Sequence, residues 1–267
     1  MAKRYVNIIS NSNYESRKVT GRLIHKLKAR GLTATTTFRE DAELNISVGG
    51  DGAFIKAINH TNFSPIPLIG INTGHLGFFQ EVHPEAIDDF IEKYLSENYF
   101  VEDLHLLGAE VFTKNRTVRL HAINEIVLKA QRSKVIHLNM YVERNHVERF
   151  SGDGILVSTP AGSTGYNFSS GGSLIYPTLE VYEVTPLAPI TSSVYRSLPN
   201  SVIIPGDFVM TLIPEKRYTN STLLLVDGQE FTYRNVKKVN FRLADKKIHR
   251  IVLNHDDYWE NLKNKFL

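Results

Sequence analysis

The feature that most restricts what this chain can fold into is the alternation, over its first hundred residues, of short apolar runs with amphipathic ones. Tyr5–Ile9, Leu44–Val48 and Ile66–Ile71 read as strands, and the last two are apolar enough to be buried on both faces. A helix is predicted over Tyr14–Arg30, where Val19, Leu23, Ile24 and Leu27 recur on one face and Gly31 stands at the C-cap position. Thr33–Phe38 suits another strand. Further helices are expected through Phe54, Ile55 and Ile58 and over Pro84–Leu95. Strands alternating with helices predict an α/β domain built on an open, mostly parallel sheet.

After about residue 100 the texture changes. Short alternating runs dominate at Val118–Ala122, Glu125–Leu128, Val135–Val142, His146–Phe150, Ser201–Ile204, Phe208–Ile213, Thr222–Val226 and Val236–Leu243. Helix signals almost vanish, so this part is expected to be β-rich and layered, with the seam near Tyr99–Asp103. The last stretch, NHDDYWENLKNKFL, is helical again. Asn254 is its expected cap, and Trp259, Leu262 and Phe266 form its apolar stripe.

Composition narrows the function classes. Net charge is only +3 over 267 residues, with no block of Lys and Arg, so a general nucleic-acid surface is not expected. There is no cysteine, which removes disulfides, thiolate nucleophiles and Cys-based metal sites together. No window reaches the roughly 18 apolar residues of a membrane span, and the apolar run after MAKRY is too short for a signal sequence. A cytoplasmic protein that binds no membrane is expected.

Four stretches carry candidate chemistry. In NISVGGDGAF a buried strand ends in Gly49, Gly50, Asp51 and Gly52, at the helix start where α/β sheets bind phosphates. Neither the Walker pattern nor G-x-G-x-x-G is present. Asp51 sets a negative charge beside the phosphates this loop would admit. It either works on magnesium or on the proton of an attacking hydroxyl, or simply caps the following helix. NTGHLGFF repeats the strand-then-glycine pattern. Its Phe78 and Phe79 offer flat faces to a ring or close a core, and His75 is a further polar group in the turn.

The third stretch is Asn124-Glu125. In a regular strand the two side chains point to opposite faces, whereas at a strand start or bulge they converge on a polar ligand. The fourth, SGDGILVSTPAGSTGYNFSSGG, crowds Gly, Ser and Thr around a second GDG, which suits a ligand held by backbone groups and short hydroxyls. G-x-S-x-G is absent, so hydrogen bonding fits these residues better than a serine nucleophile.

Together these motifs resemble the NAD kinase family, in particular its bacterial-type members that use ATP or polyphosphate. GGDGAF, NTGHLGFF, NEIVLK and GDGILVSTPAGSTGYNFSSGG occur in family order and spacing along nearly the whole chain. The resemblance implies an α/β domain over 1–100, a β-rich NAD-binding domain over 101–250, and a segment 251–267 that packs back on the first domain. It implies transfer of a phosphoryl group from ATP or polyphosphate to the 2′-hydroxyl of the adenosine ribose of NAD. Mg2+ would assist, in a homodimer or homotetramer.

By the same resemblance Asp51 is the catalytic base, and Gly49, Gly50 and Gly52 form the phosphate loop. Substrate contacts fall on Gly52, Phe78, Asn124, Glu125, Asp153, Ala161, Thr164, Gly165, Tyr166, Asn167, Ser169, Ala188 and Gln229, and no residue is assigned to metal. Three positions depart from the family pattern: Ala53 for its usual threonine, Gly165 for alanine, and Ser151 for a basic residue. A lipid or sugar kinase sharing GGDG, and a non-catalytic dinucleotide sensor, are the alternative readings.

Overall fold

A computed structural model of the chain describes residues 3–74, 77–192 and 196–267, so His75 lies outside the described residues. The chain divides into two compact units, one of residues 1–103 with 247–267, the other of 104–246.

The first unit is built on parallel strands β1 (Arg4–Ser10), β2 (Leu32–Thr35), β3 (Leu44–Gly49) and β4 (Leu68–Asn72), in the order β2-β1-β3-β4. The end of the chain's long last strand, Val236–Val252, joins beside β4, with Arg250 opposite Leu68. Helix α1 (Tyr14–Ala29) starts where the Asn13 side chain accepts the Ser16 N–H at 2.8 Å. It buries Val19, Leu23 and Leu27, and ends before Gly31 at φ +79°. Helices α2 (Asp51–His60) and α3 (Ile87–Leu95) follow, α3 entered by a 3-10 turn over Pro84–Ala86. A core of Val6, Ile8, Ile46, Val48, Ile69, Phe90 and Ile251 fixes the layers. Sheet order reverses at β1, so the ends of β1 and β3 flank the crevice where open α/β sheets bind ligands.

The second unit is almost entirely β. It contains β5 (Phe100–Thr113, entered from the first unit), β6 (Thr117–Ala122), β7 (Glu125–Ala130), β8 (Ile136–Val142), β9 (Asn145–Gly152) and β10 (Gly154–Ser158). After the one-turn helix α4 (Tyr166–Ser169) come β11 (Val181–Leu187), β12 (Val202–Pro205), β13 (Met210–Pro214), β14 (Thr222–Val226) and β15 (Gln229–Tyr233). One antiparallel sheet runs β12-β11-β10-β7-β14-β15. In the other layer β13 pairs with β8 and with the last strand, and β8 pairs with β9. A single core including Ile126, Leu128, Leu138, Met140, Ile155, Tyr182 and Phe241 joins the layers.

Several expectations shift. The threonine-rich strand stops at Thr35, whose hydroxyl captures the Thr37 N–H at 3.1 Å and so ends the ladder locally. Strand β5 is hidden in sequence by its charged residues, and the last strand continues beyond Leu243 to Val252. The terminal helix is Asp257–Phe266, and Asn254 bonds Asp256 and Asp257 rather than capping it. Trp259 is exposed; Tyr258 and Phe266 are the rings turned against Phe78.

Candidate active site

In the first unit β3 delivers Gly49 directly into α2. Gly50 is the N-cap residue, with its carbonyl accepting the Ala53 N–H at 2.8 Å and the Gln80 side-chain amide at 2.9 Å. The Asp51 carboxylate makes no cap. Instead Oδ2 accepts the Phe78 N–H at 2.9 Å, and Oδ1 accepts the Phe79 N–H at 3.1 Å. The two glycine turns, 27 and 28 positions apart in sequence, are therefore tied together by this one side chain. Lys265 of the terminal helix stands 3.8 Å from Oδ2.

The glycines in these turns are not equivalent. A Cβ on Gly77 would overlap the Asp51 carboxylate, and one on Gly49 would overlap the methyl of Ala53. Ala53, the departure from the family's threonine, is thus a buried neighbour of Gly49. Gly50 and Gly52 have open space where a side chain would project, which leaves room for a phosphate. Asn11, at the end of β1, donates its N–H to the Val48 carbonyl at 3.0 Å and brings its amide to Gly49; sequence reasoning did not single it out.

Both phenylalanines are packed within this unit. Phe79 stacks on Phe54 with centroids 4.9 Å apart, and Phe78 lies 5.6 Å from Phe266 with the Lys265 ammonium over its ring. From below, Arg250 donates to the Phe78 carbonyl at 2.7 Å and to Glu102 at 2.6 Å, with Glu81 at 3.8 Å. Burial pushes the Glu81 carboxyl up to about 7, against the opposing pull of Arg250.

In the second unit Asn124 immediately precedes β7, and Glu125 is its first residue. The pair therefore escapes strand alternation, and both side chains converge on Gly165: Glu125 Oε2 and Asn124 Nδ2 lie 3.6 and 3.7 Å from the position of a Gly165 Cβ. Gly162 is needed too, since a Cβ there would overlap the Asn124 backbone. Asp227 organises this turn. Its carboxylate accepts the N–H groups of Ile123, Asn124 and Glu125 at 2.9, 2.8 and 3.2 Å. The signal for it was present in VDGQ, because Asp-Gly between two strands marks a tight hairpin, and both residues have positive φ.

Glu125 Oε2 and Asn124 Oδ1 are buried and have no hydrogen-bond partner. Burial, with the Asp227 charge adding to it, pushes the Glu125 carboxyl up to about 7. Two acceptors left bare at one spot suit a ligand bearing N–H or O–H donors.

The STPAGSTGY turn behaves differently from its sequence reading. Its hydroxyls are largely committed to the fold: Thr159 Oγ1 donates to Ile123 O at 2.6 Å, Ser158 Oγ to Thr159 O at 2.9 Å, and Ser163 Oγ to Ile175 O at 3.1 Å. Ala161 is buried and Thr164 and Gly165 are half-buried, while Tyr166 and Ser169 are exposed. Asn167 is fully buried. Its amide donates to Glu183 at 2.6 Å and its carbonyl accepts from Thr185 at 2.6 Å. Gln229 is exposed at the start of β15, next to the Asp227-Gly228 turn.

Asp153 and Ala188 do not join this group. They lie together where Gly154 pairs with Leu187, whereas Glu125 pairs with Ser158 at the far end of β10. At about 3.3 Å per residue the two ends of β10, Gly154 and Ser158, stand roughly 13 Å apart. Ser151, in place of a basic residue, is buried and shares a 2.7 Å hydrogen bond with His137 Nδ1. A cavity of about 460 Å³ in this unit, lined by Arg119, His121 and Arg242 among others, includes none of the predicted site residues.

Residues 6–99 match the family model described as the ATP-NAD kinase N-terminal domain, and residues 123–252 match the ATP-NAD kinase C-terminal domain. The chain belongs to the NAD kinase family. The NAD kinase of Finegoldia magna is 44% identical over 268 residues, spanning 99% of this chain and 98% of that protein. That of Streptococcus mutans is 30% identical, spanning 98% and 94%. In fold, the chain resembles yeast NADH kinase complexed with NADH (TM-score 0.86, 19% identity, 99% of this chain and 87% of that one). It also resembles an Archaeoglobus fulgidus NAD kinase in complex with ATP (TM-score 0.79, 22% identity, 98% of each chain).

Proposed function

We propose that this protein transfers the terminal phosphoryl group of ATP to the 2′-hydroxyl of the adenosine ribose of NAD, giving NADP and ADP. Family membership along both halves of the chain supports the reaction. The observation that carries the assignment to particular residues is the pair of bare, buried acceptors on Asn124 and Glu125. They take donors from the dinucleotide, with Thr164, Gly165 and Tyr166 beside them and Gln229 as a further contact.

Asp51 acts as general base. The ribose hydroxyl gives its proton to the carboxylate as its oxygen bonds to the γ-phosphorus; the bond from that phosphorus to the β–γ bridging oxygen breaks, and ADP leaves. Each Asp51 oxygen accepts one backbone N–H and keeps a lone-pair direction for the hydroxyl. Gly50 and Gly52 leave room for the phosphates. The packing of Phe78 and Phe79 fixes the carboxylate in place, and positioning supplies much of the rate in such transfers.

Among the described residues no three His, Asp or Glu side chains gather to hold a metal ion. Mg2+ is proposed to arrive on the nucleotide's phosphates, where it would neutralise charge. A homodimer or homotetramer is proposed as the working form. ATP and NAD as substrates favour a cytoplasmic setting.

The deciding experiment is incubation with NAD, Mg2+ and either ATP or polyphosphate, with NADP measured. NADP formed from ATP supports the proposal; absence of NADP with both donors defeats it.

A further inference from the structure

The carboxylate of Asp51 raises an electrostatic difficulty, because it must admit a polyphosphate beside its own negative charge. Among the described residues, the cation that pairs with it comes from the far end of the chain. Lys265, in the last turn of the terminal helix, brings Nζ to 3.8 Å from Asp51 Oδ2 and holds it 4.7 Å over the Phe78 ring. Among the described residues Asp51 is the carboxylate with which Lys265 pairs. The helix is held there by Phe266 and Tyr258 against Phe78, whose carbonyl is anchored by the buried Arg250.

The reaction geometry places the donor within reach of this ammonium. A hydroxyl that gives its proton to Asp51 sits about 2.6–3.2 Å from the carboxylate. Its oxygen approaches the phosphorus to about 3–3.5 Å. The oxygens of the transferring group then fall roughly 5–7 Å from Asp51, a distance the flexible lysine stem spans. We propose that Lys265 is a binding residue of the phosphoryl-donor subsite, contacting the donor's terminal phosphate while balancing the charge of Asp51. The inference rests on the reading of Asp51 as the base. It makes the terminal helix part of the donor subsite, a role that neither glycine turn announces in sequence.

The test is calorimetric titration with ATP and Mg2+, and separately with NAD, of wild type, Lys265→Met, Lys265→Arg and Lys263→Met, which removes an exposed charge from the same helix. Lys265→Met is expected to weaken ATP binding about 5- to 10-fold. Its NAD affinity and melting temperature should stay near wild type. Lys265→Arg should retain ATP affinity within about two-fold, and Lys263→Met should match wild type. ATP binding unchanged in Lys265→Met overturns the proposal. So does an equal loss of ATP and NAD binding with a lowered melting temperature, which marks a packing role only. Whether wild type makes NADP, and whether Asp51→Asn abolishes it, are separate measurements, so failure of the kinase reading is distinguishable from failure of this one.

Discussion

The carboxylate of Asp227 accepts the backbone N–H of Asn124 at 2.8 Å across 103 positions of sequence, and takes the N–H groups on either side as well. Burial raises the Asp227 carboxyl, and these three donors oppose that shift. One side chain in a hairpin turn thus fixes the backbone that presents Asn124 and Glu125.

Asp227→Asn leaves one acceptor oxygen for three donors and turns an amide toward the rest. Hydrogen bonds to a charged group contribute about 1.5–3 kcal/mol each, so a stability loss of about 2 kcal/mol is expected. It should appear in thermal melting, together with weaker NAD binding. Unchanged NAD affinity would show that Asp227 does not position the pair.

Glu125→Gln tests the titration of the buried carboxyl. Its folded-state value of about 7 lies above the ordinary 4.5. Between those values the unfolded chain has lost the proton and the folded chain has kept it. Rising pH therefore destabilises wild type across that window, levelling off above about 7. The substituted amide does not titrate, so the variant should gain on wild type by roughly 2–3 kcal/mol between about pH 4.5 and about pH 8. Melting curves at several pH values, compared between the two proteins, check this. NAD affinity should fall in the same variant.

Asp51→Asn is expected to lower kcat by about 10²–10⁴-fold while NAD binding persists. Steady-state NADP formation and calorimetry read the two effects apart. A variant close to wild-type turnover would remove Asp51 from the base role.

Gly77→Ala forces a methyl into the Asp51 carboxylate. The side chain must leave the Phe78 and Phe79 N–H groups, and misplacement of about 1 Å at a reacting group costs on the order of 10²-fold in rate. Activity should fall by that order with Phe54 and Phe79 still stacked and the fold retained by circular dichroism.

Arg250→Met leaves Glu102 buried without its 2.6 Å partner and frees the Phe78 carbonyl. Breaking a buried pair by removing one member costs about 3–5 kcal/mol. Denaturant unfolding should show the loss, and a shift below about 1 kcal/mol would mean that the network relaxes around water.

The apolar alternation of the first hundred residues was sufficient to mark β1, β3, β4 and the helices between them, because burial on both faces leaves a contiguous apolar signature. It also marked GGDG as a strand-to-helix turn, since glycines after a buried strand let backbone approach closely, while the role of Asp51 stayed open between chemistry and capping. Strand β5 and the end of the last strand escaped notice, because charged side chains on one edge hide the period of two. The serine and threonine hydroxyls of STPAGSTGY looked ready for a ligand; their commitment to the backbone carbonyls of Ile123, Thr159 and Ile175 depends on segments that composition does not place together.

Sequence by itself determined the family, the two kinds of domain texture and the identities of Asp51, Asn124 and Glu125, since local spacing and residue chemistry are short-range properties. Tertiary structure decided what those residues face. Asp51 binds the second glycine turn and Lys265 rather than capping its own helix, and Asp227 holds the Asn-Glu turn from a distant hairpin. Such pairings are set by how strands and helices pack, and a hydrogen bond across a hundred residues leaves no periodic trace in the chain that makes it.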